Sequence, residues 1–448
     1  MREIPEAIQE ELQRVKRLRR NAFGPIPETY ETLHGIVFLK EIYRRIRDGR
    51  GLDEALRDLP FCCLALTMLN ASALLRDAAD ALDASPEPDI AGAAAKLHWC
   101  GTVLGIATEI THVADVLADG ASGRPASGPV PCLDVMRAAF GAAGEAIVTL
   151  DARHDGLLDD AVRSGYLDDP AAGLVHSYKN IAWQITMLEA ARISADVPDA
   201  EDIIALSALG MEALALERDT YNDQFTLLHQ VPELIAFVSI ELINAAIADL
   251  AKKELSGAER SIRVVNALFP CVNLCLQPLV TLMYPSEYYK FRENLGATSG
   301  SHSKDFGSML LSRKYEELSR AFRDATADPQ GDEEALRWQV LALRQNLYRW
   351  RDVHMMLPRN VLGSGATSLA GTKEATSSVE KMRRNFMRRD MLGEKARATH
   401  AGADGGDRAA AGREAEQRLL QITGDIARGT FPEVEQRSGP VFGKQKAE

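Results

Sequence analysis

The sequence predicts an all-α fold, a bundle of long helices, and three observations support this prediction. Apolar residues recur at spacings of three and four along most of the chain, for example over 64–82, 185–193 and 232–253. The alternation of apolar and polar residues that marks a half-buried strand is nearly absent from the sequence. Alanine and leucine, which favour helices, are abundant, whereas aromatic residues make up only 6% of the chain.

Segments rich in Gly, Pro, Ser and Asp predict where the helices separate. They lie at 83–89, 118–131, 194–202 and 324–334. Beyond about residue 396 the chain becomes rich in Gly, Ala and Arg, which predicts a largely disordered tail with one short helix near 412–427. We therefore expect an N-terminal helical region over 1–200, a second helical domain over 201–396, and the tail over 397–448.

The charge balance is acidic, with 52 Lys and Arg against 64 Asp and Glu and a formal net charge of -12. This balance argues against a broad nucleic-acid surface, which needs a basic face. The one basic stretch, KMRRNFMRR at 381–389, is interpreted as a solvated helix face. We expect a cytoplasmic protein without membrane spans, since no unbroken apolar run reaches roughly 20 residues and the N-terminus is charged.

The six cysteines do not form a dense framework, which fits a reducing compartment. Cys271 and Cys275 lie four apart and would share one helix face, as two metal ligands do. Because no second Cys or His pair lies nearby in the sequence, we interpret them as small buried residues.

A weak internal repeat is also visible. Helix pairs are expected over 61–118 and again over 225–284, and each pair is followed by a segment of small residues. Two interpretations stay open. One is an ancient duplication with a degenerate first half, and the other is the general likeness of helix pairs rich in Ala and Leu.

The nine histidines exclude a helix-borne zinc pair, because no two of them lie four residues apart. The GxSxG elbow, the P-loop and the GxGxxG turn after a strand are absent too. Isolated histidines in a helical chain remain compatible with haem, which needs as few as one protein ligand.

Three segments resemble tryptophan 2,3-dioxygenases, in that family's order. FTLLHQVPELIAF at 225–237 resembles its distal helix, and YKFRENLGATSGSHSKDF at 289–306 is similar to its F-R, S-G stretch. YRWRDVHMMLPRNVLGSGATSLAGT at 348–372 resembles its W-R-x-x-H segment and the following Gly/Thr-rich loop. The resemblance covers about 225–375 only.

The resemblance implies haem b, with His354 as the proximal iron ligand and His229 as the catalytic distal histidine. Trp350 and Arg351 match the family's W-R pair, as haem contacts or as packing residues. Arg292 would contact a haem propionate or brace its helix. Further positions are implied to bind substrate: Phe225, Ser299, Gly300, Ser368 and Thr372.

Several positions depart from the family's pattern. Gly307 occupies the position of the arginine that clamps the substrate carboxylate, so either another arginine such as Arg313 replaces it or the substrate lacks that carboxylate. Pro232 and Ile235 replace aromatic residues of the distal helix. Pro358 stands where some haem-dependent aromatic oxygenases tether haem through cysteine, so haem should be non-covalent. Its missing N–H also predicts that the helix kinks or ends there.

The resemblance thus implies a haem-dependent oxygenase that inserts oxygen from O2 into an indole- or phenol-type substrate. Two alternatives remain: a monooxygenase or peroxide-using hydroxylase of specialised metabolism, and a non-catalytic haem- or ligand-binding helical protein. A homo-oligomer, dimer or tetramer, is expected from the family. The resemblance also implies that N-terminal helices complete the pocket of a neighbouring subunit. The longer N-terminal region could instead do this within one chain, which would make the assembly smaller.

Overall fold

A computed structural model describes residues 10, 36–48, 51–84, 87–119, 127–154, 156, 169–194, 197, 199–214, 220–282, 307–326 and 333–362. In some helical stretches, namely 36–37, 116, 118–119, 210–214, 220–227, 279–281, 307–310, 312, 351–352, 354–355 and 357–362, it describes the backbone only. The chain separates into two units, 1–379 and 380–448, and every residue described belongs to the first. The predicted tail, with its short helix and the basic stretch at 381–389, lies outside the described residues. The division at 200 and 396 stays a prediction.

The described part of the chain is almost entirely helical, which confirms the predicted fold class. Its ten helices are α1 (Ile36–Arg47), α2 (Leu52–Asp83), α3 (Ile90–Asp119), α4 (Leu133–Arg153), α5 (Pro170–Ala190), α6 (Ala200–Leu214), α7 (Thr220–Ala251), α8 (Leu255–Leu282), α9 (Gly307–Ala325) and α10 (Glu333–Leu362). Two strands of two residues each, β1 (Ser127–Gly128) and β2 (Ile193–Ser194), pair antiparallel.

The four predicted breaks each separate two of these helices. The break at 83–89 follows the end of α2, and the break at 324–334 lies between α9 and α10. Local chemistry explains the start of α5, where Pro170 occupies the first turn and the Asp169 side chain accepts a hydrogen bond from the backbone N–H of Ala171. Helix α10 was predicted to kink or end at Pro358; an end there is wrong, because the helix continues to Leu362, and a kink stays a prediction. A proline removes one helical hydrogen bond, and the helix continues for one further turn beyond it.

Two helical hairpins form the centre of the fold. Helix α2 packs along α3, and α7 packs along α8, while α2 also contacts α7 and α3 contacts α8. Each hairpin carries two outer helices, with α4 on α2 and α5 on α3, then α9 on α7 and α10 on α8. The core lies along these central helices, where α2 has its apolar residues from 59 to 68 almost fully buried.

Three described helical segments are long and apolar enough to cross a membrane by length and composition: Leu52–Asp83, Ile90–Asp115 and Leu228–Ala251. The expectation that no segment meets this criterion is therefore wrong. The reason is that a few polar residues interrupt each segment without lowering its mean hydropathy much. The most apolar windows are 89%, 50% and 56% buried inside the protein. The absence of a membrane partner stays a prediction.

Candidate functional site

The predicted distal histidine, His229, is buried in the first half of α7. Its side chain is 6% exposed, and its Nε2 atom is buried. Gln230 and Glu233, which belong to the same motif, are each 2% exposed and take part in polar interactions. The motif therefore lies inside the bundle. Phe225 lies one turn earlier on α7, and only its backbone is described.

The predicted proximal position, 354, lies on α10, where only the backbone is described. A buried stripe runs along this helix through Leu336, Val340, Leu343, Leu347 and Trp350, with spacings that alternate between four and three. The next position in that register is 354, one turn beyond Trp350. The helix therefore carries residue 354 on the side that packs against the core.

A small apolar pocket lies between α7, α8, α9 and α10. It encloses about 280 Å³ with its open mouth included. Its interior has room for only about one water molecule, far less than a small-molecule site offers. Its lining comes from all four helices: Pro232, Ile235, Ala236, Ser239, Phe269, Val272, Leu311, Leu347 and Trp350.

The hydroxyl of Ser239 is the polar exception in this lining. Ser239 is fully buried, and its Oγ atom makes no hydrogen bond among the described residues. A buried hydroxyl without a partner costs about 1–3 kcal/mol. The pocket therefore offers one hydrogen-bonding group in an otherwise apolar wall.

Hydrogen bonds fix how α10 runs along α8. The Asn266 Nδ2 donates to the backbone oxygen of Gln339 at 3.0 Å and to its Oε1 at 2.9 Å. The Asn346 Nδ2 donates to the Asn266 Oδ1 at 3.0 Å. Further along both helices, Val272 and Trp350 line the same pocket. Residue numbers therefore increase in the same direction along both helices, so α8 and α10 are parallel.

The hairpin makes α7 antiparallel to α8, and therefore antiparallel to α10. Residue numbers fall from the pocket toward His229 along α7, and they rise from Trp350 toward residue 354 along α10. Because the two helices are antiparallel, both of these directions lead to the same end of the pocket. His229 lies three residues from Pro232, about 4.5 Å along the axis, and residue 354 lies four residues from Trp350, about 6 Å. The two predicted haem-facing positions thus occupy the same end of the pocket, on either side of α8.

For the other site residues predicted from the sequence, the structure describes no side chains. Arg292, Ser299, Gly300, Ser368 and Thr372 lie outside the described residues, and Arg351 is described by its backbone alone. These assignments stay predictions.

Arg313 was a candidate for replacing the missing carboxylate clamp, and its position does not support that role. It is exposed on α9, two residues from the pocket-lining Leu311, which is about 200° around the helix. Gly307, where the family places its clamp, is the first residue of α9. Among the described residues, therefore, Arg313 is not positioned to bind a substrate carboxylate in the pocket.

The residues of the pocket fit a haem better than a metal held by several side chains. The described residues contain no group of three or more His, Cys, Asp or Glu side chains that could hold a metal ion. Haem iron needs a single histidine and otherwise apolar walls. One buried histidine beside an apolar pocket matches that requirement. The pocket as it stands has no room for a porphyrin ring, so its lining fits haem in its chemistry and not in its size.

Five of the six cysteines are buried. All six are free, and Cys62, Cys63, Cys271 and Cys275 are 2% exposed or less. Burial raises the pKa of the Cys271 thiol to about 12. These residues behave as small buried hydrophobes, as the sequence predicted.

Sequence reasoning missed most of the pocket's lining, including Ser239, Phe269 and Val272. A signal was present in the stripe on α10, whose alternating spacing leads from Leu336 to position 354. The contribution of α8 could not be found in this way, because it depends on how two separate helices align.

Comparison with known proteins agrees with the motif resemblance. A tryptophan 2,3-dioxygenase from Bradyrhizobium sp. strain ORS 278 is 32% identical over 125 residues, which make up 25% of this chain and 44% of the relative. Another, from Bradyrhizobium sp. strain BTAi1, is 36% identical over 85 residues, 19% of this chain and 30% of the relative.

This chain therefore spans less than half the length of the curated relatives it matches. No protein-family model matches the sequence. No solved structure matches it significantly. The identity is low and partial, but it agrees with the ordered motifs and the helical fold. Over part of its length, this chain is a divergent relative of tryptophan 2,3-dioxygenases.

Proposed function

We propose that this protein is a haem-dependent oxygenase that acts on a small aromatic substrate, of the indole or phenol type. One observation carries the proposal. His229 and position 354 lie at the same end of an apolar pocket, on the two helices that flank α8. The partial identity to tryptophan 2,3-dioxygenases supports the same chemistry.

In this proposal His354 binds the iron of haem b without a covalent tether. Bound haem would supply the metal at which dioxygen reacts, and a single histidine would suffice to hold it. Trp350, which is 9% exposed and lines the pocket, would pack beside the ring. Its indole offers a large apolar surface for that contact.

His229 would orient the substrate and manage its proton. A neutral imidazole nitrogen can accept the N–H of an indole or the O–H of a phenol. The histidine is buried within the bundle, so bulk water does not compete for that contact. We propose that this hydrogen bond holds the aromatic ring in one orientation, which a reaction at one ring carbon requires.

A spectroscopic experiment tests the axial ligand. The protein is reconstituted with haem, and its Soret band is recorded in the ferric, ferrous and CO-bound forms. We expect His354→Ala to change these spectra and weaken haem binding, and added imidazole to restore them. His98→Ala is the matched control, because His98 is exposed on α3. If His354→Ala and the control give wild-type spectra, the ligand assignment is wrong.

Complete failure to bind haem would favour a non-catalytic helical protein.

The substrate and the type of reaction are a separate question. Gly307 offers no side chain at the clamp position, and Arg313 is exposed. These two positions favour the second candidate, a monooxygenase or peroxide-using hydroxylase whose substrate lacks the amino-acid carboxylate. Mass spectrometry of products formed under ¹⁸O₂ separates one transferred oxygen atom from two, and peroxide from dioxygen as their source.

A further inference from the structure

The helices of this chain form two equivalent sets. If α2 to α5 are exchanged for α7 to α10 in order, the pairings among them are preserved, whereas the contact of α1 with α2 has no counterpart between the described residues of α6 and α7. The pairs α2–α3, α2–α4 and α3–α5 become α7–α8, α7–α9 and α8–α10, which pack in the same way. Helices α2 and α7, and likewise α3 and α8, contact each other across the junction. The arrangement is that of two copies related by an approximate twofold axis.

Helix α1 and its counterpart α6 each contact the other set, and α1 also contacts α2 of its own set. Helix α1 contacts α7, and α6 contacts α2. The Arg47 Nε lies 2.8 Å from the Glu241 Oε2, and the Tyr43 and Phe237 rings have centroids 6.2 Å apart. Each half therefore contacts the other through one of these helices, and the first half packs directly on the helix that carries His229.

Residue-level burial agrees with the equivalence. Helices α2 and α7 are both 32 residues long. When their first residues are aligned, Leu74, Ala78 and Leu82 correspond to Leu242, Ala246 and Leu250, and all six are buried. The alignment also pairs the exposed positions 76 and 80 with the exposed positions 244 and 248.

The second helices of the hairpins agree as well. Aligning Gly92 with Gly257 pairs the buried positions 93, 97, 100, 103, 104, 106, 107 and 110 with the buried positions 258, 262, 265, 268, 269, 271, 272 and 275. Helices α3 and α5 also run parallel, as α8 and α10 do. Asn180 lies against Gly101, and the Thr108 Oγ1 donates to the Gln184 Oε1 at 2.9 Å.

These alignments identify what the first half has at the candidate site positions. Phe61 corresponds to His229. Gly101 on α3 corresponds to Asn266 on α8. Gly101 lies against Asn180, and Asn266 is bonded to Asn346, so Asn180 corresponds to Asn346. Eight residues further along each helix, Leu188 then corresponds to His354. Phe61 is 8% exposed and Leu188 is 1% exposed. Both candidate functional histidines are thus replaced by buried apolar side chains in the first half.

We propose that residues 36–190 are a degenerate copy of the unit formed by 200–362, retained as a built-in partner subunit. The first copy holds no ligand site of its own and supports the second by packing α1 and α2 against α7. The chain would then bind one planar ligand, not two, and would not need a second chain to complete the pairing of the hairpins. The number of ligands rests on the proposed function, whereas the internal pairing does not.

Two measurements on the full-length protein test this inference. Light scattering should give the mass of one chain, 49.0 kDa, because the face that would pair two copies is already used internally. A stable dimer would overturn the role of the first half as a substitute for a partner chain. This measurement does not depend on haem.

Haem titration provides the second measurement. We expect one equivalent per chain, abolished by the pair His229→Ala and His354→Ala. The matched pair Phe61→Leu and Leu188→Met changes the corresponding positions of the first half conservatively, and should leave the equivalence point at one. Two equivalents per chain, or a loss of binding with the first-half pair in a folded protein, would overturn the inference. No binding by the wild type would refute the proposed function, and light scattering would then decide on the internal pairing alone.

Discussion

Asn266 provides a quantitative test of how α10 is held against α8. Its amide makes three interhelical hydrogen bonds, with Gln339 and Asn346, in a partly buried environment. Each such bond contributes about 0.5–1.5 kcal/mol to stability, so the three together contribute roughly 1.5–4.5 kcal/mol. Because water can reach part of this environment, we expect a loss of about 2 kcal/mol for Asn266→Ala.

The control is Asn244→Ala, an exposed asparagine on α7. Both substitutions gain about the same helix propensity, so the difference between the two variants isolates the hydrogen bonds. The measurement is the free energy of unfolding from urea titrations followed by circular dichroism. We also expect weaker haem binding for Asn266→Ala, since these bonds set the register that brings position 354 to the level of His229. Equal stability of the two variants would refute this account of the register.

Three further predictions concern a close contact of a glycine, a buried carboxylate and the cysteines. In thermal melts, Gly144→Ala should destabilise the protein by about 1–3 kcal/mol, because the new Cβ would collide with the hydroxyl of Tyr178. The control Gly141→Ala, on the same helix with open space around it, should be neutral or stabilising. Hydrogen bonds from Arg44, then from Arg45, lower the pKa of Glu41, so its contribution to stability is present above the unfolded-state pKa of about 4.3 and is lost as pH falls through the lower folded value. Comparing Glu41→Gln with wild type across that range checks the sign, and a difference that grows on acidification would contradict it. Burial raises the pKa of every cysteine, so thiol reagents at neutral pH should label the folded protein slowly and the urea-unfolded protein fast, and rapid labelling of the folded form would contradict this burial.

The sequence predicted the helices well because each depends on local periodicity. The breaks at 83–89 and 324–334 have the composition of helix ends, and in the structure α2 ends at Asp83 and α9 at Ala325. The pocket was not predictable in this way. Its lining residues come from four helices and are brought together by interhelical contacts such as those of Asn266, which leave no trace in local spacing.

The internal pairing was visible in the sequence only as a weak repeat. The two halves share their pattern of burial more than their residues, as Phe61 against His229 and Leu188 against position 354 illustrate. Comparing the amino-acid identities of the two halves gives little signal, since many apolar side chains can occupy the same buried position. Contacts between helices, which depend on the pattern of burial, show the equivalence directly.

The contacts that α1 and α6 make between the two halves have a consequence for how the protein responds to dilution. In a dimer of separate chains, folding and association are coupled, so stability falls as the protein is diluted. When both partners belong to one chain, the contact between them is intramolecular and its effective concentration is fixed by the connecting segment. The midpoint of unfolding should therefore be the same at high and low protein concentration, and a cell making few copies of this protein would still have every copy assembled.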